Sequence, residues 1–110
     1  MAHPVGIRVG AMRSADKENV YLYGWGVYEG DFVPEEAAGI MAQIARDSGR
    51  TNPRIRLDDG SVIYGCECWW GPAVEVEASI QGREIKMVSI ADERAEHRAA
   101  AAAKARGAEP

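Results

Sequence analysis

The stretch PAVEVEASIQG, Pro72 to Gly82, decides how the rest of this chain can fold. Val74, Val76, Ala78 and Ile80 alternate with Glu75, Glu77, Ser79 and Gln81, the period of a half-buried strand. Ala73, Val76, Glu77 and Ile80 also fall three and four residues apart, the period of a helix. Proline suits the first turn of a helix and glycine the position past its end, and Pro72 and Gly82 bracket the segment in that order. Helix is therefore the reading taken here. A strand stays open as the alternative, and it would remove the second helix from the order of elements.

Working outward, REIKMVSI (Arg83 to Ile90) reads as a strand, and ADERAEHRAAAAAKARG after it as a helix by propensity. That helix has little but alanine to bury, so residues 91–110 are expected as a solvated helix or tail beside a single domain at 1–90. Upstream, PRIRLDDGSVIYGC is a hairpin, with Ile55 and Leu57 alternating with Arg54 and Arg56 and a turn at Asp59-Gly60. PEEAAGIMAQIARDSG (Pro34 to Gly49) is the clearest helix, with Ala37, Ile40, Met41 and Ile44 as its apolar stripe. VYLYGWG (Val20 to Gly26) alternates Val20 and Leu22 against Tyr21, Tyr23 and Trp25 and reads as a strand, followed by a loop, VYEGDFVP. PVGIRVGAM is a weaker N-terminal strand before a polar loop at Arg13 to Asn19.

From Val20 the order is strand, helix, strand, strand, helix, strand. That is the order of a ferredoxin-like split βαβ core: a four-stranded antiparallel sheet with two helices. The expected fold is α+β, this core plus an N-terminal strand and a C-terminal alanine-rich helix. Right-handed crossovers would set the first and third strands of the core side by side. The loops GWGVYEGD and GCECWWGP would then meet at one end of the sheet. That edge would gather Trp25, Tyr28, Glu29, Asp31, Glu67, Trp69 and Trp70 as candidate binding residues, with Cys66 and Cys68 among them. Adjacent residues point in different directions, so one of Trp69 and Trp70 should be buried and the other available.

At 110 residues, 46% of them apolar, the chain is long enough for one core without staples. Its net charge of −4 argues against indiscriminate binding to phosphate backbones. No apolar run approaches the roughly 20 residues of a membrane span. MAHPVGIRVG lacks a charged region followed by an apolar one, so no secretory leader is expected and a reduced, cytoplasmic setting is the simplest reading.

Cys66 and Cys68 are weak metal candidates. A zinc site needs four ligands, and the two histidines, His3 and His97, sit at opposite ends of the chain. No metal or cofactor is expected. A catalytic cysteine needs a thiolate, and Glu29, Asp31 and Glu67 oppose one. Asp31 reads more naturally as a helix cap than as a general acid or base. A second candidate surface is the sheet face of Tyr21, Tyr23, Arg54 and Arg56, whose aromatics and arginines suit RNA bases. SVIYGCEC does not match the RNP1 pattern of such platforms, and Glu18 to Ala45 holds five acids and no base, so nucleic acid is the minority reading. Aromatic contact with a protein is the favoured one, since Trp and Tyr are enriched at binding hot spots. A small-molecule pocket for a nucleotide or other metabolite is the alternative.

Together, VYLYGWGVYEGDFVP and NPRIRLDDGSVIYGCECWWGP resemble a group of small uncharacterised bacteriophage and prophage proteins. The resemblance covers Val20 to Pro72 and carries no catalytic roles. It implies a phage accessory protein acting in the host cytoplasm, where such proteins often inhibit host machinery, including CRISPR and other defence systems.

Overall fold

The computed structural model describes residues 3–107; residues 1–2 and 108–110 of the expected domain and tail lie outside the described residues. The fold is α+β, with six strands in one sheet and three helices: β1 (Arg8–Ala15), β2 (Asn19–Phe32), α1 (Ile40–Ser48), β3 (Asn52–Leu57), β4 (Val62–Tyr64), β5 (Trp69–Pro72), α2 (Ala73–Ile80), β6 (Glu84–Met87) and α3 (Ile90–Gly107). A single 3₁₀ turn, Gly65–Glu67, separates β4 from β5.

The segment after Pro72 is a helix. In α2 the buried residues are Val76 and Ile80, one turn apart, while Val74 is 72% exposed. A strand would have put Val74 and Val76 on the same face. Val76 and Ile80 cover Val20 and Leu22, with Met12 and Trp25 at the margin of that cluster.

The strand order is not that of a ferredoxin-like core. It runs β4-β3-β2-β1-β5, antiparallel throughout, with β6 parallel to the first residues of β2. The strand from Val62 does not insert beside β2, because both edges of β2 are taken: β1 pairs along one edge, β3 and β6 along the other. The 14-residue length of β2 makes this possible. It runs straight through VYEGDF, which reads as a loop in sequence because of its glycines. Those glycines serve the sheet instead. A Cβ at Gly26 would overlap the Arg56 carbonyl of the neighbouring strand, so glycine marks a close backbone approach rather than a turn.

Register irregularities also change which way side chains point. Met12 pairs with Leu22 and Ala11 with Gly24, leaving Tyr23 as an extra residue in β2. The parity of the strand flips there. Trp25 therefore joins the Val20 and Leu22 side, against the alternation expected from sequence, while Tyr23 and Tyr28 enter the main core with Val9, Ala11, Ile55, Leu57, Ile63 and Ile90. β1 carries its own irregularity at Arg13 and continues to Ala15, through part of the expected polar loop.

α1 starts six residues later than Pro34. Pro34 and Ala37 are buried in the lead-in segment, whose carbonyls at both residues accept hydrogen bonds from Arg46 at 2.7 Å. Anchored this way, α1 turns Ala42 and Ala45 inward and leaves the expected core stripe of Ile40, Met41 and Ile44 exposed. α3 buries only Ile90, and its alanine run, Ala99 to Ala103, is exposed. No described helix is long and apolar enough to cross a membrane.

Candidate functional site

The centre of the candidate site is β5, which sequence reasoning missed as a strand. Trp69–Pro72 pairs antiparallel with β1, setting Trp70 opposite Ala11 and Trp69 opposite Met12. Successive residues of a strand face opposite sides of the sheet. Trp70 accordingly packs on the main core, stacked on Tyr28 with ring centroids 5.3 Å apart and edge-on to His3 at 5.4 Å. Trp69 projects outward and is 73% exposed. One tryptophan of the pair is structural and the other is free, as two adjacent strand residues require.

The remaining edge residues are distributed rather than gathered. GWGVYEGD lies within β2 and is not a loop. Trp25 is half-buried against the α2 side, in space left by Gly10, where a Cβ would meet the Trp25 ring and Val76 at 2.8 Å each. Tyr28 is buried, and its hydroxyl donates to Asp31 at 2.9 Å, which raises the phenol's pKa above its ordinary value. Asp31 sits in β2, far in sequence from the start of α1, and caps no helix. Glu29 accepts from Arg54 at 3.0 Å and from Arg56 at 3.1 Å. The expected meeting of two loops is therefore replaced by residues of β2 and β5. What survives of their adjacency is the Tyr28–Trp70 stack.

The second surface is also divided. Ile55 and Leu57 face the main core with Tyr23, so Arg54 and Arg56 project from the opposite side of the sheet. There Arg54 lies over the Phe32 ring, 3.5 Å from its centroid. Tyr21 is half-buried with Arg13 over its ring at 4.8 Å. No face presents Tyr21, Tyr23, Arg54 and Arg56 together.

Glu67 has a structural task. Its carboxylate receives the Arg94 guanidinium through two bonds, 2.8 and 2.7 Å, and the Tyr64 backbone N–H at 3.1 Å. Arg94 also donates to the Val62 carbonyl at 2.8 Å. The side chains are only 11% (Arg94) and 7% (Glu67) exposed, and the carboxylate raises the Arg94 pKa, keeping that guanidinium charged. This pair fastens the first turns of α3 onto the 3₁₀ turn. A second, looser pair, Arg13–Glu93 at 3.7 Å, holds the same helix to β1.

Both cysteines lie in the 3₁₀ turn and its exit. Burial, with help from the Glu67 charge, pushes the Cys68 thiol up to about 12, and burial raises Cys66 as well. Thiols held protonated at neutral pH are poor nucleophiles. Among the described residues, no three His, Cys, Asp or Glu side chains gather as a metal site.

Two grooves flank this region. One, about 460 Å³, runs beside Trp69 and is lined by Arg13, Gly65, Cys66 and Cys68. The other, about 610 Å³, lies between the β3–β4 turn and the start of α3, with Arg13, Tyr23 and Met87 among its walls and Asp59, Asp92, Glu93 and Glu96 around it. Arg13 borders both grooves; sequence reading left it in a polar loop, and only its bulged place in β1 brings it here. The exposed stripe of α1 went unrecognised as surface because helical periodicity cannot tell a core face from a docking face. No protein-family model matches this chain, and no curated protein or solved structure matches it.

Proposed function

We propose that this protein is a phage-type accessory protein that works by docking on a host protein, with a defence complex such as CRISPR among the candidate targets. The phage setting rests on the resemblance of Val20 to Pro72, and the docking on Trp69. A large aromatic ring held by a paired strand and left 73% exposed is the observation that carries the reading. Tryptophan is among the residues that most often dominate binding energy, and a rigid backbone lowers the entropy lost on contact. The partner surface takes the indole in an apolar pocket and meets Arg13 across the adjoining groove.

A small-molecule reading has one observation in its favour, the 610 Å³ groove at the start of α3. Four carboxylates surround it against the single guanidinium of Arg13, so a cationic ligand suits it better than a nucleotide's phosphates. Capture from host lysate on immobilised protein, repeated with Trp69→Ala, separates the readings. A protein retained by the native chain and lost from Trp69→Ala at unchanged melting temperature supports docking. Capture indifferent to Trp69, together with a cationic metabolite that raises the melting temperature, overturns it.

A further inference from the structure

The outer edge of β6 has no strand against it among the described residues, and its chemistry is self-complementary. Glu84 N–H donates to the Glu18 carbonyl at 2.8 Å and Val88 N–H to the Leu22 carbonyl at 2.9 Å. Backbone groups alternate sides along a strand, so residues 84, 86 and 88 bond to β2 while Ile85 and Met87 turn their N–H and C=O outward. Their side chains sit beside Val20 and Leu22, the strand partners of Ile85 and Met87. Val20 and Leu22 belong to the apolar cluster under α2, and at the sheet edge beside them Ile85 is 45% and Met87 65% exposed.

We infer that β6 is a homodimer edge, pairing antiparallel with β6 of a second copy of this chain about a two-fold axis at Ile85. Charge selects that register. Centred on Ile85, each Glu84 faces Lys86 of the other copy, and the two Ile85 residues exchange both backbone hydrogen bonds. Centring on Lys86 would oppose two ammonium groups, and centring on Glu84 two carboxylates, both destabilising in directly opposed pairs. On the other face of the ribbon the two Ile85 side chains meet, and Met87 meets the aliphatic stem of Arg83, joining the apolar layers of the two copies. Edge charges commonly guard a sheet against stray pairing. Here their alternating sign disfavours the registers centred on Glu84 and on Lys86 and favours this one, which pairs opposite charges.

The edge lies across β2 from β1 and β5, so this contact is independent of the Trp69 surface. Strands of four residues bury less than the roughly 1,200 Å² typical of stable complexes, so the dimer forms reversibly with concentration.

Sedimentation equilibrium of the full chain over a wide concentration range reads this directly. The native chain shows a rise from monomer mass towards twice that mass. Lys86→Glu or Glu84→Lys alone weakens association about tenfold, and the exchange Glu84→Lys with Lys86→Glu restores it. Ile85→Pro deletes an outward donor that β2 does not use and abolishes the dimer, with circular dichroism as its fold control. A chain that stays monomeric throughout, or a dimer indifferent to both single reversals, overturns the inference. So does a double exchange that fails to recover association while the melting temperature is unchanged.

Discussion

Trp69 and Trp70 are neighbours with opposite fates, and the difference is one of strand geometry. Trp70→Ala removes a ring stacked on buried Tyr28 and should cost about 3 kcal/mol by denaturant unfolding, within the usual range for losing a packed aromatic. Trp69→Ala removes a ring facing water and should change stability by less than about 0.5 kcal/mol. Cys68 carries a pH signature. A thiol in the unfolded chain titrates near ~8.5, and in the fold it is held up to about 12. The folded state thus keeps its proton where the unfolded state loses it. The stabilisation is complete below the unfolded value and fades as pH rises through the window towards the folded one. Chemical denaturation at rising alkaline pH should show a decline in stability that is shallower in Cys68→Ala. Alkylation of Cys68 at neutral pH should be slow in the native protein and fast in denaturant.

At the scale of elements, the readable features were those with local causes. The hairpin at Asp59-Gly60, α2 after Pro72 and the long helix after Ser89 all follow from turn chemistry, helix limits or propensity within a few residues. The misread features have distant causes. β5 is four residues with a glycine and a proline, and exists because β1 pairs with it across the chain. β2 runs through Gly26 because the Arg56 carbonyl comes so near, which no local pattern announces. Glu67 was legible as an acid among aromatics, but its partner Arg94 lies 27 residues away on a helix that composition alone makes a loose tail. That pair gives an element-scale prediction. Arg94→Met strands a buried carboxylate and should destabilise by about 3 kcal/mol, whereas adding Glu67→Leu should recover more than half of the loss. Hydrogen exchange in the first turns of α3 should accelerate in Arg94→Met and not in a variant altered beyond Ala99.

Across the whole molecule, the α+β class and the number of helices were legible, because the hydrophobic periods change character along the chain. The strand order was not. The order of elements matched a split βαβ core, and only the pairing of β1 and β5, with a β2 long enough to hold three partners, replaced it with another sheet. The same rearrangement dispersed the expected binding edge, leaving Trp69 as its outward-facing tryptophan. α1 adds an exposed stripe of Ile40, Met41 and Ile44, which its own packing does not require. Met41→Glu should leave the melting temperature within about 2 °C of the native value, since the residue faces solvent. The proposed docking stands on Trp69 as a contact residue rather than a packing residue. Isothermal titration of the captured partner with native protein and with Trp69→Ala tests this most directly. The predicted result is a loss of affinity of about thirtyfold or more at unchanged melting temperature. Equal affinity of the two proteins would contradict it.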